Sequence, residues 1–134
     1  MSMFSIFNIS GTAIGAQSQR LNVVASNLAN VDTVAGTDGK AYKARQVVFQ
    51  TVPMGDEGTA GVKISNISEN AAPGRKVLDP ANPAADAQGY VTHSNVNAVE
   101  EMVNMISASR SYQNNVEVMN TAKSLLLKTL QIGS

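Results

Sequence analysis

The stretch NAVEEMVNMISASRSYQNNVEVMNTAKSLLLKTLQIG, residues 97–133, repeats its apolar side chains at a helical period over almost its whole length. Met105, Tyr112, Met119 and Leu126 form one heptad row, with Val116 and Leu130 one turn on from Tyr112 and Leu126. Val99, Met102, Val103 and Ile106 widen the stripe at its start. Asn95 or Asn97 can cap the helix, because a short amide side chain accepts from the unpaired N–H groups of a first turn. Glu100 and Glu101 then sit where the helix dipole favours anions, Lys123 and Lys128 lie towards the end that favours cations, and Gly133 is a suitable stop.

The opposite end of the chain has the same period. Phe7, Ile14, Leu21 and Leu28 recur every seven residues, and Val24 and Val31 follow three after the last two. The pattern predicts a helix from about Asn8 or Ser10 to about Asn30. Gly11 and Gly15 weaken its beginning by about 1 kcal/mol each relative to Ala, so its first turns are expected to fray or to fold only when packed. Between Met1 and Val31 the only ionisable side chain is Arg20. A lone amphipathic helix normally covers its outer face with Lys and Glu. A face of Asn, Ser, Thr, Gln and Ala instead packs against neighbours without desolvating charge, which costs several kcal/mol per unpaired ion.

The middle, residues 32–95, has a different composition. All four prolines lie there, with turns expected at Gly36 and Asp38-Gly39. Strands are predicted at Tyr42–Val52, Val62–Ile67 and Lys76–Leu78, with a last one beginning near Gly89-Tyr90-Val91. Asp79-Pro80 and Asn82-Pro83 impose extended or turn geometry before each proline. Residues 54–61 (MGDEGTAG) fit no definite pattern.

Composition narrows the function. The 134 residues leave room for one compact domain, with zero formal net charge, so no basic field draws nucleic acid or an anionic membrane. Charged residues are 15% of the chain against roughly 25% in ordinary soluble domains. Without cysteine there is no disulfide, thiolate metal site or thiol nucleophile. The N-terminus lacks the basic and continuous apolar regions of a secretory signal, and no run nears the roughly 20 apolar residues of a membrane span.

Candidate chemistry is sparse, and no catalytic, cofactor-binding or metal-ligating residue is assigned. His93 is the only histidine, and neither a second His nor a carboxylate pair stands near it to complete a zinc site or a Ser-His-Asp arrangement. Asp79, Asn82 and Asp86 do not follow calcium-loop spacing and read as turn residues that bond local backbone. Gly36-Thr37-Asp38-Gly39-Lys40 lacks phosphate-loop spacing. Met102, Met105 and Met119 read as helix packing, within a subunit or between subunits. Arg20 and Arg110 are either solvated charges or polar contacts that fix register between helices.

Three segments together resemble a known family. Arg20-Leu21, Ala25-Ser26-Asn27-Leu28-Ala29-Asn30 and Thr33 resemble the N-terminal signature of bacterial flagellar rod and hook proteins. Asn95-Val96-Asn97, Val99, Glu101-Met102-Val103, Met105-Ile106, Ala108, Arg110, Tyr112-Gln113, Asn115, Asn120-Thr121 and Leu130 resemble their C-terminal helix. Asp79-Pro80, Asn82-Pro83, Ala85-Asp86 and Gly89-Tyr90-Val91 are similar to the short proximal-rod members. The resemblance implies a structural axial protein of the flagellar basal body with no enzymatic activity and no cofactor. It also implies export without signal cleavage and a place in the rod across the periplasmic space. Its partners would be copies of itself, other rod subunits and neighbouring basal-body proteins, without nucleic acid or membrane insertion.

The expected fold is mainly α with a small β-rich insert: a rod helix over 1–31, the insert over 32–95, and a second rod helix over 96–134. The two helices would pair as an antiparallel coiled-coil-like unit, as the resemblance implies. The expected core and subunit-interface residues are Ile14, Arg20, Leu21, Val24, Asn27, Leu28 and Asn30 in the first helix. In the second they are Val99, Met102, Met105, Ile106, Arg110, Tyr112, Gln113, Val116, Met119, Leu126 and Leu130.

Overall fold

A computed structural model describes residues 3–55 and 58–133, so the Asp56-Glu57 pair of the 54–61 stretch and the outermost residues lie outside it. Its elements in chain order are helix α1 (Met3–Ala29), strands β1 (Arg45–Pro53), β2 (Ala60–Glu69), β3 (Lys76–Leu78) and β4 (Tyr90–Thr92), and helix α2 (Ala98–Ile132). The fold is two terminal helices with small sheets between them. β1 pairs with β2 in one two-stranded sheet, and β3 with β4 in another.

Helix α1 begins earlier than the heptad pattern predicts, at Met3, and runs through Gly11 and Gly15 without a break. It has no acidic residue in its first turn and no basic residue in its last, so neither end draws on the helix dipole. Its C-terminal turn is closed by Asn30, whose Nδ2 donates to the Ser26 carbonyl at 2.9 Å. Of the two candidate caps of α2, Asn97 is the one used. Its Oδ1 accepts from the Val99 and Glu100 amides at 3.1 and 3.3 Å.

The residues cluster into two compact units, each of which takes part of both helices. Unit 1 comprises residues 3–21, 47–66 (less 56–57) and 106–133. Here the early part of α1 meets the later part of α2. A methyl placed on Gly11 would touch the Met119 methyl at 3.9 Å, an ordinary contact. Ile6 lines one groove together with Val118, Ala122 and Leu125. The β1–β2 sheet docks on α1 through Thr12, whose hydroxyl donates to the Ile9 carbonyl at 2.7 Å and accepts from the Val62 amide at 3.2 Å. Gly61 is buried beside it, and a β-carbon there would lie 2.7 Å from the Thr12 hydroxyl.

Unit 2 comprises residues 22–46 and 67–105. β3 and β4 run antiparallel, with Val77 opposite the buried Val91. The segment after α1 adds an isolated bridge, Val34 to His93, and the Ala35 amide donates to the Thr92 carbonyl at 2.8 Å. The proline-rich stretch is organised by turns. Asp86 Oδ1 accepts from the Gln88 and Tyr90 amides, each at 2.9 Å, and Asn82 Oδ1 accepts from the Ala84 amide at 2.9 Å. The Tyr90 amide is the main reason the Asp86 carboxyl sits below the ordinary aspartate range; a smaller loss of hydration opposes the shift, while the Gln88 amide, Lys76 and the Gly89 amide favour it. His93 makes a long-range tie instead, its Nδ1 bonding the Asp32 carbonyl at 3.1 Å, 61 residues away in sequence.

Two glycines test this packing in opposite directions. A β-carbon on Gly74 would lie 2.2 Å from the His93 carbonyl oxygen, which is backbone and cannot swing aside. Gly74→Ala should therefore lower stability by about 2–3 kcal/mol in urea denaturation, the range for overpacking a closed site. Gly15 has open space around it, so Gly15→Ala should instead stabilise the free chain by about 0.5–1 kcal/mol. For Asp86, a lowered native pKa means the turn's electrostatic support is present above the ordinary aspartate value and is lost as pH falls through the lowered one. The Gln88 and Tyr90 amide resonances should hold their native positions to below the ordinary aspartate range, then shift together on further acidification. In Asp86→Asn that acid-linked shift should disappear.

Candidate assembly surface

The functional residues on α1 and α2 divide into those held inside the chain and those left outside it. At the centre of the first group is Asn27, which is fully buried. Its Oδ1 accepts from the Arg45 amide at 3.0 Å and from the Tyr42 hydroxyl at 2.8 Å. Its Nδ2 donates to the Arg45 carbonyl at 2.8 Å. The side-chain amide thus pairs with both backbone groups of one residue, as a neighbouring strand would, and fixes the start of β1 against α1.

Asn95 does the same work one residue earlier. Its Oδ1 accepts from the Ala44 amide at 2.6 Å, and its Nδ2 donates to the Asn70 and Ala72 carbonyls, both at 2.9 Å. The Asn70 amide returns a bond to the Ala44 carbonyl at 2.8 Å. The side chains of two asparagines 68 positions apart therefore satisfy three of the four backbone groups of one dipeptide, Ala44-Arg45, and the Asn70 amide takes the fourth. Ser94 adds a third tie, its hydroxyl donating to the Val31 carbonyl at 2.8 Å. Burial pushes the Tyr42 hydroxyl up from its ordinary range, Arg45 pulls it back, and Glu101 and Glu69 raise it further, so this donor stays protonated at neutral pH.

Helix α2 turns small or polar positions inward. Glu101, Ala108 and Ala122 are buried and Asn115 half-buried, a heptad row of its own. Four residues on from each lie Met105, Tyr112, Met119 and Leu126, the row that the apolar pattern singles out. Tyr112, Val116, Met119 and Leu126 are half-buried, and Met105 is exposed. Hydropathy patterning missed the inward row because its side chains are Ala, Asn and Glu. The heptad spacing of small residues was the available signal. Among the described residues Glu101 Oε2 has no hydrogen-bond partner.

On α1, Val24 and Asn27 are buried, while Ile14, Arg20, Leu21, Leu28 and Asn30 are half-buried. Arg20 Nη1 donates to Gln17 Oε1 at 3.4 Å. On α2 the large apolar side chains at the start point outward: Val99 is 69% exposed, Val103 61% and Ile106 57%, with Met102 half out. Arg110 and Gln113 are exposed and continue the same spacing, so Val99, Val103, Ile106, Arg110 and Gln113 stand in one row three and four residues apart. Arg110 makes no ion pair among the described residues. Val118, Leu125 and Ile132 form a second exposed row seven residues apart, and Leu127 and the 61% exposed Leu130 are exposed on a different face of the helix.

These rows leave large apolar side chains uncovered by the chain itself. Monomers expose single apolar residues routinely, but contiguous helical rows of Val, Ile and Met mark interaction sites. Among the described residues there is no cluster of three or more His, Asp or Glu able to hold a metal ion, and no helix is long and apolar enough to cross a membrane.

Sequence comparison gives the chain its class. Residues 7–36 match the family model described as flagella basal body rod protein, and residues 87–132 match that of the flagellar basal body rod FlgEFG protein C-terminal. The two matches cover α1 with its following turn and β4 with α2, so the class is that of the structural rod proteins of the flagellar basal body. Full-length relatives narrow it. The chain is 58% identical to the flagellar basal-body rod protein FlgC of Yersinia enterocolitica, 57% to that of Escherichia coli O6:H1 and 56% to that of Salmonella typhimurium, each over 99% of both chains. The chain belongs to the FlgC family of flagellar basal-body rod proteins.

The buried amide of Asn27 carries the sharpest consequence of this geometry. Asn27→Ala leaves the Arg45 amide and carbonyl and the Tyr42 hydroxyl without their partner. It should cost about 2–4 kcal/mol in urea denaturation, given about 1–3 kcal/mol for each buried polar group left unpaired. Asn30→Ala, which removes a single exposed bond, should cost less than about 1 kcal/mol.

Proposed function

We propose that this chain is a subunit of the flagellar proximal rod that assembles, with its own copies and with other rod subunits, through its terminal helices. The helices pair as an antiparallel coiled-coil-like unit and stack into a helical tube. The tube surrounds the export channel, spans the periplasmic space and transmits torque, and the subunit reaches it by flagellar export without signal cleavage. The observation that carries this reading is the outward row on α2, which begins with Val99, Val103 and Ile106 and continues with Arg110 and Gln113.

Burying an apolar side chain of this size contributes about 1.5–3 kcal/mol, so several per subunit, repeated along a lattice, suffice for a stable tube. Arg110 and Gln113 supply the directional part. A cation without an ion pair in its own chain gains most from a carboxylate or carbonyl on a neighbour, and only one register brings the two together. A contact between unlike surfaces of successive copies does not close on itself, which is the geometry a rod requires.

Met102→Asp combined with Ile106→Asp tests the reading, because both side chains are already exposed in the free chain. The purified double variant should keep its circular dichroism and unfold within about 0.5 kcal/mol of the parent, as surface substitutions do. In a flagellated host lacking its own copy, the variant should be secreted but should support neither rod assembly nor swimming. Normal motility with this variant would remove the α2 face from the account.

A further inference from the structure

Where α1 meets α2 in unit 1, the two sides of the contact differ. One side is a groove of about 450 Å³, walled by Ile6 of α1 and by Val118, Ala122 and Leu125 of α2, with Glu117 also lining it. Ala122 is buried at its floor, while Val118 and Leu125 stand exposed along it. The other side is a ridge. At about 100° per residue, Phe4 lies about 200° round α1 from Ile6, and Leu127 lies about 180° round α2 from Val118. Phe4, which is 67% exposed, and the exposed Leu127 and Leu130 are therefore turned away from the groove. Lys123 is exposed four residues before Leu127 and shares its side.

Ridge and groove stand at nearly the same height. As α1 runs back from Gly11 to Ile6, its neighbours on α2 run on from Met119 to Leu125. One step further, Phe4 is level with the turn that carries Leu127. The charges match as well. Glu117 and Lys123 are both exposed, and among the described residues neither takes part in an ion pair. Six residues apart, about 240° round one helix, they cannot reach each other within a chain.

We propose that the ridge of one copy seats in the groove of a second copy that points the same way. An axial step of about five residues, about 7.5 Å, sets Leu127 against Ala122, Leu130 against Leu125 and Lys123 beside Glu117. The same step brings Phe4 to the middle of the groove. The two surfaces are unlike, so each copy offers both, and the contact repeats from copy to copy instead of closing as a pair. Because each contact carries the axial step, the series winds as a helix and not as a flat ring. The Val99, Val103 and Ile106 row takes no part and is left for another neighbour. The proposal rests on the rod-subunit reading.

A cysteine pair tests it in a flagellated host lacking its own copy, since the chain has no cysteine of its own. Leu125→Cys with Leu130→Cys puts two thiols about 140° apart round one helix, beyond disulfide reach within a chain. Rods isolated after mild oxidation should give a ladder of covalent oligomers on non-reducing gels, absent from the dilute free chain. Glu117→Lys and Lys123→Glu should each cost swimming, and the two together should restore it, all three melting as the parent does. The proposal is overturned if rods take up the cysteine variant and give no ladder, or if it cross-links only to a different protein. It is also overturned if both single charge variants swim normally, or if the exchanged pair is no better than either. The charge exchange decides alone if the cysteine variant stays out of rods. Rods that contain the unsubstituted chain, without a ladder from the variant, would remove this contact and keep the rod reading.

Discussion

The backbone of Ala44-Arg45 is where the fold is tied together. This dipeptide leads into β1 and has no neighbouring strand that could satisfy all its amide and carbonyl groups. Asn27 from α1 bonds the Arg45 amide and carbonyl, Asn95 from the approach to α2 accepts from the Ala44 amide, and the Asn70 amide takes the Ala44 carbonyl. A buried backbone group left unpaired costs as much as several apolar contacts contribute, so each asparagine fixes both the position and the direction of its own segment. In unit 2 this brings residues far apart in sequence to one point without a large apolar core. The buried set there is small: Val24, Ala35, Ala44 and Val91 among the apolar residues.

That economy explains the surface. A chain held by polar ties and small side chains does not need to turn its large apolar residues inward. α2 buries Ala108 and Ala122 and leaves Val99, Val103, Ile106 and Leu130 outside. In unit 1 a β-carbon on Gly11 would meet the Met119 methyl at an ordinary contact distance. In a monomeric enzyme these exposed rows would be an aggregation hazard. In the rod-subunit reading proposed above they are the material from which an assembly is built.

Much of this was legible in the sequence, for physical reasons that differ by element. The period-seven rows reveal α2 and most of α1 because a long helix leaves a long pattern. The strands emerged at nearly their observed positions, since β-branched and aromatic runs between glycines and prolines have few other uses. The early start of α1 did not, because Gly11 and Gly15 lower helix propensity whether or not a partner packs there. The inward row of α2 was missed because alanine carries little weight in a hydropathy pattern. Asn27 was visible as part of a signature, but no local rule says that it clasps a residue 18 positions away; only the folded chain shows that.

The account depends on one division: side chains such as Val24 and Asn27 are already covered in the free chain, and the α2 face is covered only on assembly. Met102 and Met105 lie on the exposed side and are sensitive reporters of solvent access, because thioether oxidation follows exposure. Hydroxyl-radical footprinting of the free chain and of isolated rods measures the division directly. The account predicts that Met102 and Met105 oxidise readily in the free protein and are protected in the rod. Equal oxidation of Met102 in both states would contradict it.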